Sequence, residues 1–157
     1  MSVKMQFDAS LDAVFEYLAD PDFLVERAMG VGDVEASYEV EEDDETVTVI
    51  AERTTRTELP GFLAKLFKPE QEITITETWT GDSDLMKGDY EMVIHGQPAR
   101  VNASITLKAE GDEACSYSIT HKAKVDIPLI GAKAAKFLLG ETERVAALEL
   151  EYLAEQL

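Results

Sequence analysis

The chain of 157 residues carries 32 acidic residues against 14 lysines and arginines, a formal net charge of -18, so its field repels nucleic acid phosphates and anionic membranes. A composition 45% hydrophobic and 29% charged excludes intrinsic disorder, and the length predicts one domain over residues 1–157 with a core that needs no disulfide or metal. The lone Cys115 excludes an intramolecular disulfide, no run is long enough to span a membrane, and the polar start from Met1 to Asp8 lacks the apolar stretch of a signal sequence, so a cytoplasmic location is expected.

Val3, Met5 and Phe7 alternate with polar neighbours, the period of a half-buried strand. Ser10 then stands as an N-cap before a helix with Leu11, Val14, Phe15 and Leu18 on one face, and Pro21 opens a second short helix that Gly30 and Gly32 end. From Asp33 to Val125 the period switches to two over six runs. Val34, Ala36, Tyr38 and Val40 share the inner face of the first, and Val47, Val49 and Ala51 that of the second, with Val40 expected opposite Val47 across the acidic turn. Ile73, Ile75 and Trp79 follow, then Tyr90, Met92 and Ile94, then Val101, Ala103, Ile105 and Leu107, and last Cys115, Tyr117 and Ile119. Such clean alternation predicts an antiparallel sheet with one wet face and argues against buried parallel strands.

After Pro128 the pattern becomes helical to the end, with Ala134, Leu138, Val145, Leu148 and Tyr152 on an apolar stripe that predicts a long helix lying on the sheet. The expected fold class is therefore α+β, a curved antiparallel sheet of about seven strands in the order β-α-α-β6-α wrapped around a long C-terminal helix. That order, together with Asp12-Ala13-Val14-Phe15, Asp20-Pro21, Glu77-Thr78-Trp79-Thr80 and Ile127-Pro128-Leu129-Ile130-Gly131, resembles an uncharacterised bacterial branch of the START-like superfamily, which includes polyketide cyclases, lipid carriers and pollen allergens. The resemblance implies a helix-grip fold with a cavity for an apolar ligand, and it supplies no catalytic residues.

Strand parity turns three ionisable side chains inward among apolar neighbours: Arg53, Glu77 and His121. A charge in an apolar enclosure must be paired or neutralised, so a diagonal Arg53 to Glu77 pair is expected, with the hydroxyls of Tyr38, Tyr90 and Tyr117 beside it. Trp79, Leu138 and Glu141 complete the expected cavity wall, while Glu149 is expected at its rim. Packing within the core is the competing role for each of these residues. The segment from Pro60 to Pro69 interrupts the meander with Phe62, Leu63, Leu66 and Phe67, which share one face of a short helix and form a candidate gate, with transient membrane contact as a further possibility.

No zinc, phosphate-loop or nucleophile-elbow motif is present, so neither a metal nor a cofactor is expected. The sequence points first to non-catalytic binding or transport of a hydrophobic or amphipathic small molecule or lipid. Two alternatives stay open: a cyclase or dehydratase acting on a polyketide-like substrate, and a protein-interaction module with a vestigial cavity. Oligomeric state is not legible.

Overall fold

A computed structural model describes residues 2–157; Met1, at the head of the polar start, lies outside the described residues. β1 (Ser2–Phe7) buries Phe7 and keeps Lys4 and Gln6 in water. The Ser10 hydroxyl caps α1 (Leu11–Leu18) by accepting from the Ala13 N–H at 3.1 Å, which fixes the helix start so that Leu11, Val14 and Leu18 turn inward. Asp20 caps α2 (Pro21–Gly30) in the same way, with Pro21 in the first turn where a missing N–H loses no bond.

The meander follows as β2 (Glu35–Glu42), β3 (Val47–Arg56), β4 (Glu70–Gly81), β5 (Leu85–Ile94), β6 (Ala99–Ala109) and β7 (Cys115–Val125). A short α3 (Gly61–Ala64) interrupts it between β3 and β4, and α4 (Gly131–Ala154) ends the chain. The seven strands form one curved sheet in the order β1-β7-β6-β5-β4-β3-β2, every neighbouring pair antiparallel. α4 packs across β7 and β1 and α2 packs on β2, so the helices cover the concave face from both edges. No helix among the described residues is long and apolar enough to cross a membrane.

Three details of register differ from the alternation in the sequence. Val40 pairs with Val49, and Val47 with Glu42, because Asp43 builds a turn centred one residue later: its carboxylate accepts from the N–H groups of Glu45 and Thr46. Val34 is exposed instead of inward because β2 begins only at Glu35. Leu148 is exposed as well: five residues before the fully buried Leu153, it stands roughly 140° around the helix from the deepest position.

Trp79 is the pivot of the lower core. It is fully buried, meets Phe15 edge-on with ring centroids 5.4 Å apart, and faces Gly88 across the β4–β5 ladder. A Cβ at position 88 would lie 3.1 Å from the indole ring, so the fully buried ring or its strand would have to give by a few tenths of an ångström. Gly88→Ala is therefore expected to destabilise the fold by about 1–3 kcal/mol through overpacking. Urea denaturation checks this, and a change within experimental error would show that the indole can move.

Candidate functional site

Between the concave face and α4 lies a cavity of ≈ 180 Å³. Alternate strand positions supply its apolar walls: Ile73 and Ile75 of β4, Met92 and Ile94 of β5 and Ile119 of β7, faced by Ala134, Leu138, Val145 and Ala146 of α4. Leu63 and Phe67 cover one end, with Lys68 and Pro69 beside them. The Lys133 ammonium sits 4.8 Å from the Phe62 ring centroid and ties this cover to the first turn of α4. Of the expected gate residues, Leu66 alone departs: α3 ends at Ala64, the chain turns, and Leu66 is left 54% exposed.

At the opposite end the cavity is polar, and the ladder register explains how distant residues meet there. Pairings across five strands align Val49, Glu77, Tyr90, Ala103 and His121 in one row on the concave face. Four residues further along β3, past Ala51, Arg53 points from the same face. The small Ala103 between Tyr90 and His121 lets the two rings meet edge-on, centroids 5.5 Å apart. Tyr90, Tyr117, Glu77, His121 and Arg53 all line the cavity.

Arg53 does not pair with Glu77. Its Nε donates to Asp33 at 2.5 Å and its Nη1 to Glu149 at 2.9 Å. The expected diagonal pair fails because Arg53 stands opposite Ile73, four residues along β4 from Glu77. Asp33 reaches Arg53 through the way α2 ends. Gly32, at φ 109°, donates to the Met29 carbonyl and Asp33 to the Ala28 carbonyl, the reversal that a glycine makes just past a helix C-terminus. This turn swings the Asp33 side chain inward, where only 6% of it meets water.

Glu77 instead accepts from the Trp79 indole N–H at 3.0 Å. Burial raises its pKa, against the weaker pull of Arg27. Glu149 goes the other way: burial works to raise it, but Arg53 and Arg27 outweigh that and hold it below the ordinary carboxylate value. Burial lowers the His121 pKa, so the imidazole is neutral near pH 7, and its Nδ1 has no partner. Burial also pushes the hydroxyls of Tyr90 and Tyr117 well above their ordinary value and that of Tyr38 to about 12.

Leu138 lines the cavity as expected, and Glu141 lies at its margin, its carboxylate held 2.9 Å from Arg144. Two expected wall residues are displaced. Tyr38 lies beyond the cavity on β2, and Trp79 lies beneath it, touching it only through the hydrogen bond that orients Glu77. Arg27 and Glu149, which line the cavity, and Asp33, which holds Arg53, are residues that strand parity could not find. Arg27 follows Phe23 by four and Leu24 by three, the buried face of α2, and Glu149 precedes Leu153 by four on α4, so helical period carries the signal for both. Cys115 is buried, with its thiol pushed up to about 11 by burial first and by Glu110 second, which keeps it protonated. No group of His, Cys, Asp and Glu among the described residues is arranged to hold a metal ion.

Removing Arg53 leaves Asp33 and Glu149 buried without their hydrogen-bonded cation, so Arg53→Met is expected to cost about 3–5 kcal/mol near pH 7. Glu149 has a depressed folded pKa, so its contribution is present above the unfolded value and is lost as pH falls through the folded one. The gap between wild type and variant in urea denaturation should therefore narrow on acidification to about pH 4; a gap of constant size would contradict the pairing.

Solved structures with the same fold include a conserved protein from Geobacillus kaustophilus, 14% identical, with TM-score 0.61 and 99% of this chain and 92% of that one covered. A protein from Thermus thermophilus is 13% identical, with TM-score 0.63 and coverage of 99% and 94%. A START superfamily protein from Mycobacterium smegmatis is 12% identical, with TM-score 0.59 and coverage of 99% and 97%. At these identities the likeness shows the START-like fold alone. No curated protein matches the chain. Residues 2–157 match the family described as "Protein of unknown function (DUF2505)", and the chain belongs to that family.

Proposed function

We propose that this protein binds a hydrophobic or amphipathic small molecule in the cavity beneath α4 and releases it unchanged. The observation that carries this reading is the division of the cavity into an apolar length and a polar end. Ile75, Met92, Ile119 and Leu138 can take up apolar surface, while Arg27, Arg53, Tyr90, Tyr117 and His121 offer hydrogen bonds at one place. Small ligands are held by this combination of apolar area with a few polar groups that fix orientation. The volume of ≈ 180 Å³ exceeds that of an engineered apolar cavity of about 150 Å³ that accepts benzene, so a ring-sized guest fits without rearrangement.

Binding is favoured over turnover by the state of the titratable groups. A general acid or base works best with a pKa near the ambient pH and a partner that orients it. His121 is held neutral by burial and meets Tyr90 through a ring edge, while burial drives the tyrosine hydroxyls away from neutrality. The cover formed by Leu63 and Phe67 is the entry route in this reading, since its apolar side chains already face the cavity and can yield to a guest of the same chemistry.

Uptake of indole, followed by isothermal titration, tests the proposal. The wild-type protein should bind it saturably. Ala146→Trp, which places an indole in the cavity from the α4 side, should weaken uptake at least about tenfold, equivalent to about 1.4 kcal/mol, while shifting the thermal midpoint by only a few degrees. Absence of saturable uptake, or uptake indifferent to the filled cavity, would refute the reading.

A further inference from the structure

Arg27 is the buried cation that the fold leaves unmatched. It is 7% exposed, its guanidinium carbon lies 5.9 Å from the Phe23 ring centroid, its Nε has no hydrogen-bond partner, and no carboxylate oxygen among the described residues is within ion-pair distance. Arg53 Nη2 and His121 Nδ1 are likewise buried without partners. All three residues line the same cavity and lie within Coulombic range of Glu149, so the unused hydrogen-bonding groups converge on one end of it.

The chemistry of these groups restricts what can satisfy them. A guanidinium only donates, and a neutral imidazole can present Nδ1–H, so the missing partner is an acceptor. Planar groups with two oxygens match the guanidinium fork best. Hydrogen-bond geometry then separates a carboxylate from an amide, because two oxygens can accept from the Arg27 fork together and a single amide oxygen cannot. Asp33 and Glu149 already face Arg53, and Glu77, engaged by Trp79, is the remaining inward carboxylate near Arg27. Arg27 therefore has Glu149 within Coulombic range but no inward carboxylate in hydrogen-bond contact, in a poorly solvated place.

We propose that the ligand is a small monocarboxylate, an aromatic or similarly compact acid, whose carboxylate meets Arg27 at the polar end while its apolar body lies along Ile75, Met92 and Leu138. This rests on the binding function proposed above and narrows it. The size limit follows from ≈ 180 Å³, below the roughly 300–1,000 Å³ of pockets that hold drug-sized molecules. The entrance suits an anion despite the acidic surface elsewhere: Lys68 lines the mouth and Lys133 stands over the cover.

Isothermal titration of the full chain with phenylacetate, its neutral isostere phenylacetamide, and dodecanoate tests the proposal. Phenylacetate should bind at least about tenfold more tightly than the amide, the difference between a charge-assisted and a neutral hydrogen bond. Arg27→Gln should bring the ratio to about one by weakening the acid alone, and Arg27→Lys should keep a reduced preference. Equal binding of acid and amide by the wild type, or a preference that survives Arg27→Gln, would overturn the inference; should that variant fail to fold, the wild-type ratio and Arg27→Lys decide it. Tighter binding of dodecanoate than of phenylacetate would overturn the size limit. If indole is taken up but no acid is preferred, this inference fails and the binding function stands; if neither binds, the binding function itself fails.

Discussion

Arg53 carries a full charge into the protein interior, and the surrounding architecture is arranged so that this charge is matched. One carboxylate comes from the turn after α2 and the other from the penultimate turn of α4, so a single guanidinium joins β3 to elements far apart in the chain. Either bond alone would leave a charge poorly compensated in a medium where desolvation is expensive. Together they fix how α4 lies over the sheet, and with it the distance between Leu138 and the strands beneath. Such a pair is better understood as fixing geometry than as adding stability, since two ions withdrawn from water gain little net free energy by meeting.

The interior remains open beside this pair because small side chains face one another. Ala99 of the sheet and Ala134 and Ala146 of α4 line the cavity, where larger residues would close the gap. Elsewhere the packing is dense: Trp79 against Phe15 and Gly88, with Phe7, Leu107 and Leu153 fully buried around it. The dense half holds the fold together and orients Glu77 through the indole N–H, while the open half presents apolar walls and unused hydrogen-bonding groups. The division between support and site thus runs along the strands, between the rows of Trp79 and Glu77, two residues apart.

Much of this was legible from local pattern. Period two placed Arg53, Glu77 and His121 on the concave face because strand geometry leaves no other choice once neighbours are apolar, and the terminal stripe placed Leu138 above them. Partner identity was not legible. The Arg53 to Glu77 pairing needed the β3–β4 register, which places Arg53 opposite Ile73 and Glu77 opposite Val49, and Asp33 turns inward because α2 ends in a reversal just before β2 begins at Glu35. Arg27 and Glu149 were visible to helical period, but a long charged side chain on a stripe usually reaches back to water, so the pattern alone favoured solvent for both. The four apolar residues of the cover separate for the same kind of reason: Leu63 and Phe67 line the cavity, Phe62 packs beside them, and the helix that would have carried Leu66 with them stops too soon.

The claim at the centre of this account is that the unmatched donors around the open half exist to hold something. A crystal structure of the protein purified from its own host, without refolding, tests that most directly. The account predicts a bound molecule or ordered solvent in the cavity with an oxygen within hydrogen-bond distance of Arg27 Nε, Arg53 Nη2 or His121 Nδ1. Side chains closing the cavity completely, with those three nitrogens satisfied by groups of the protein itself, would contradict it.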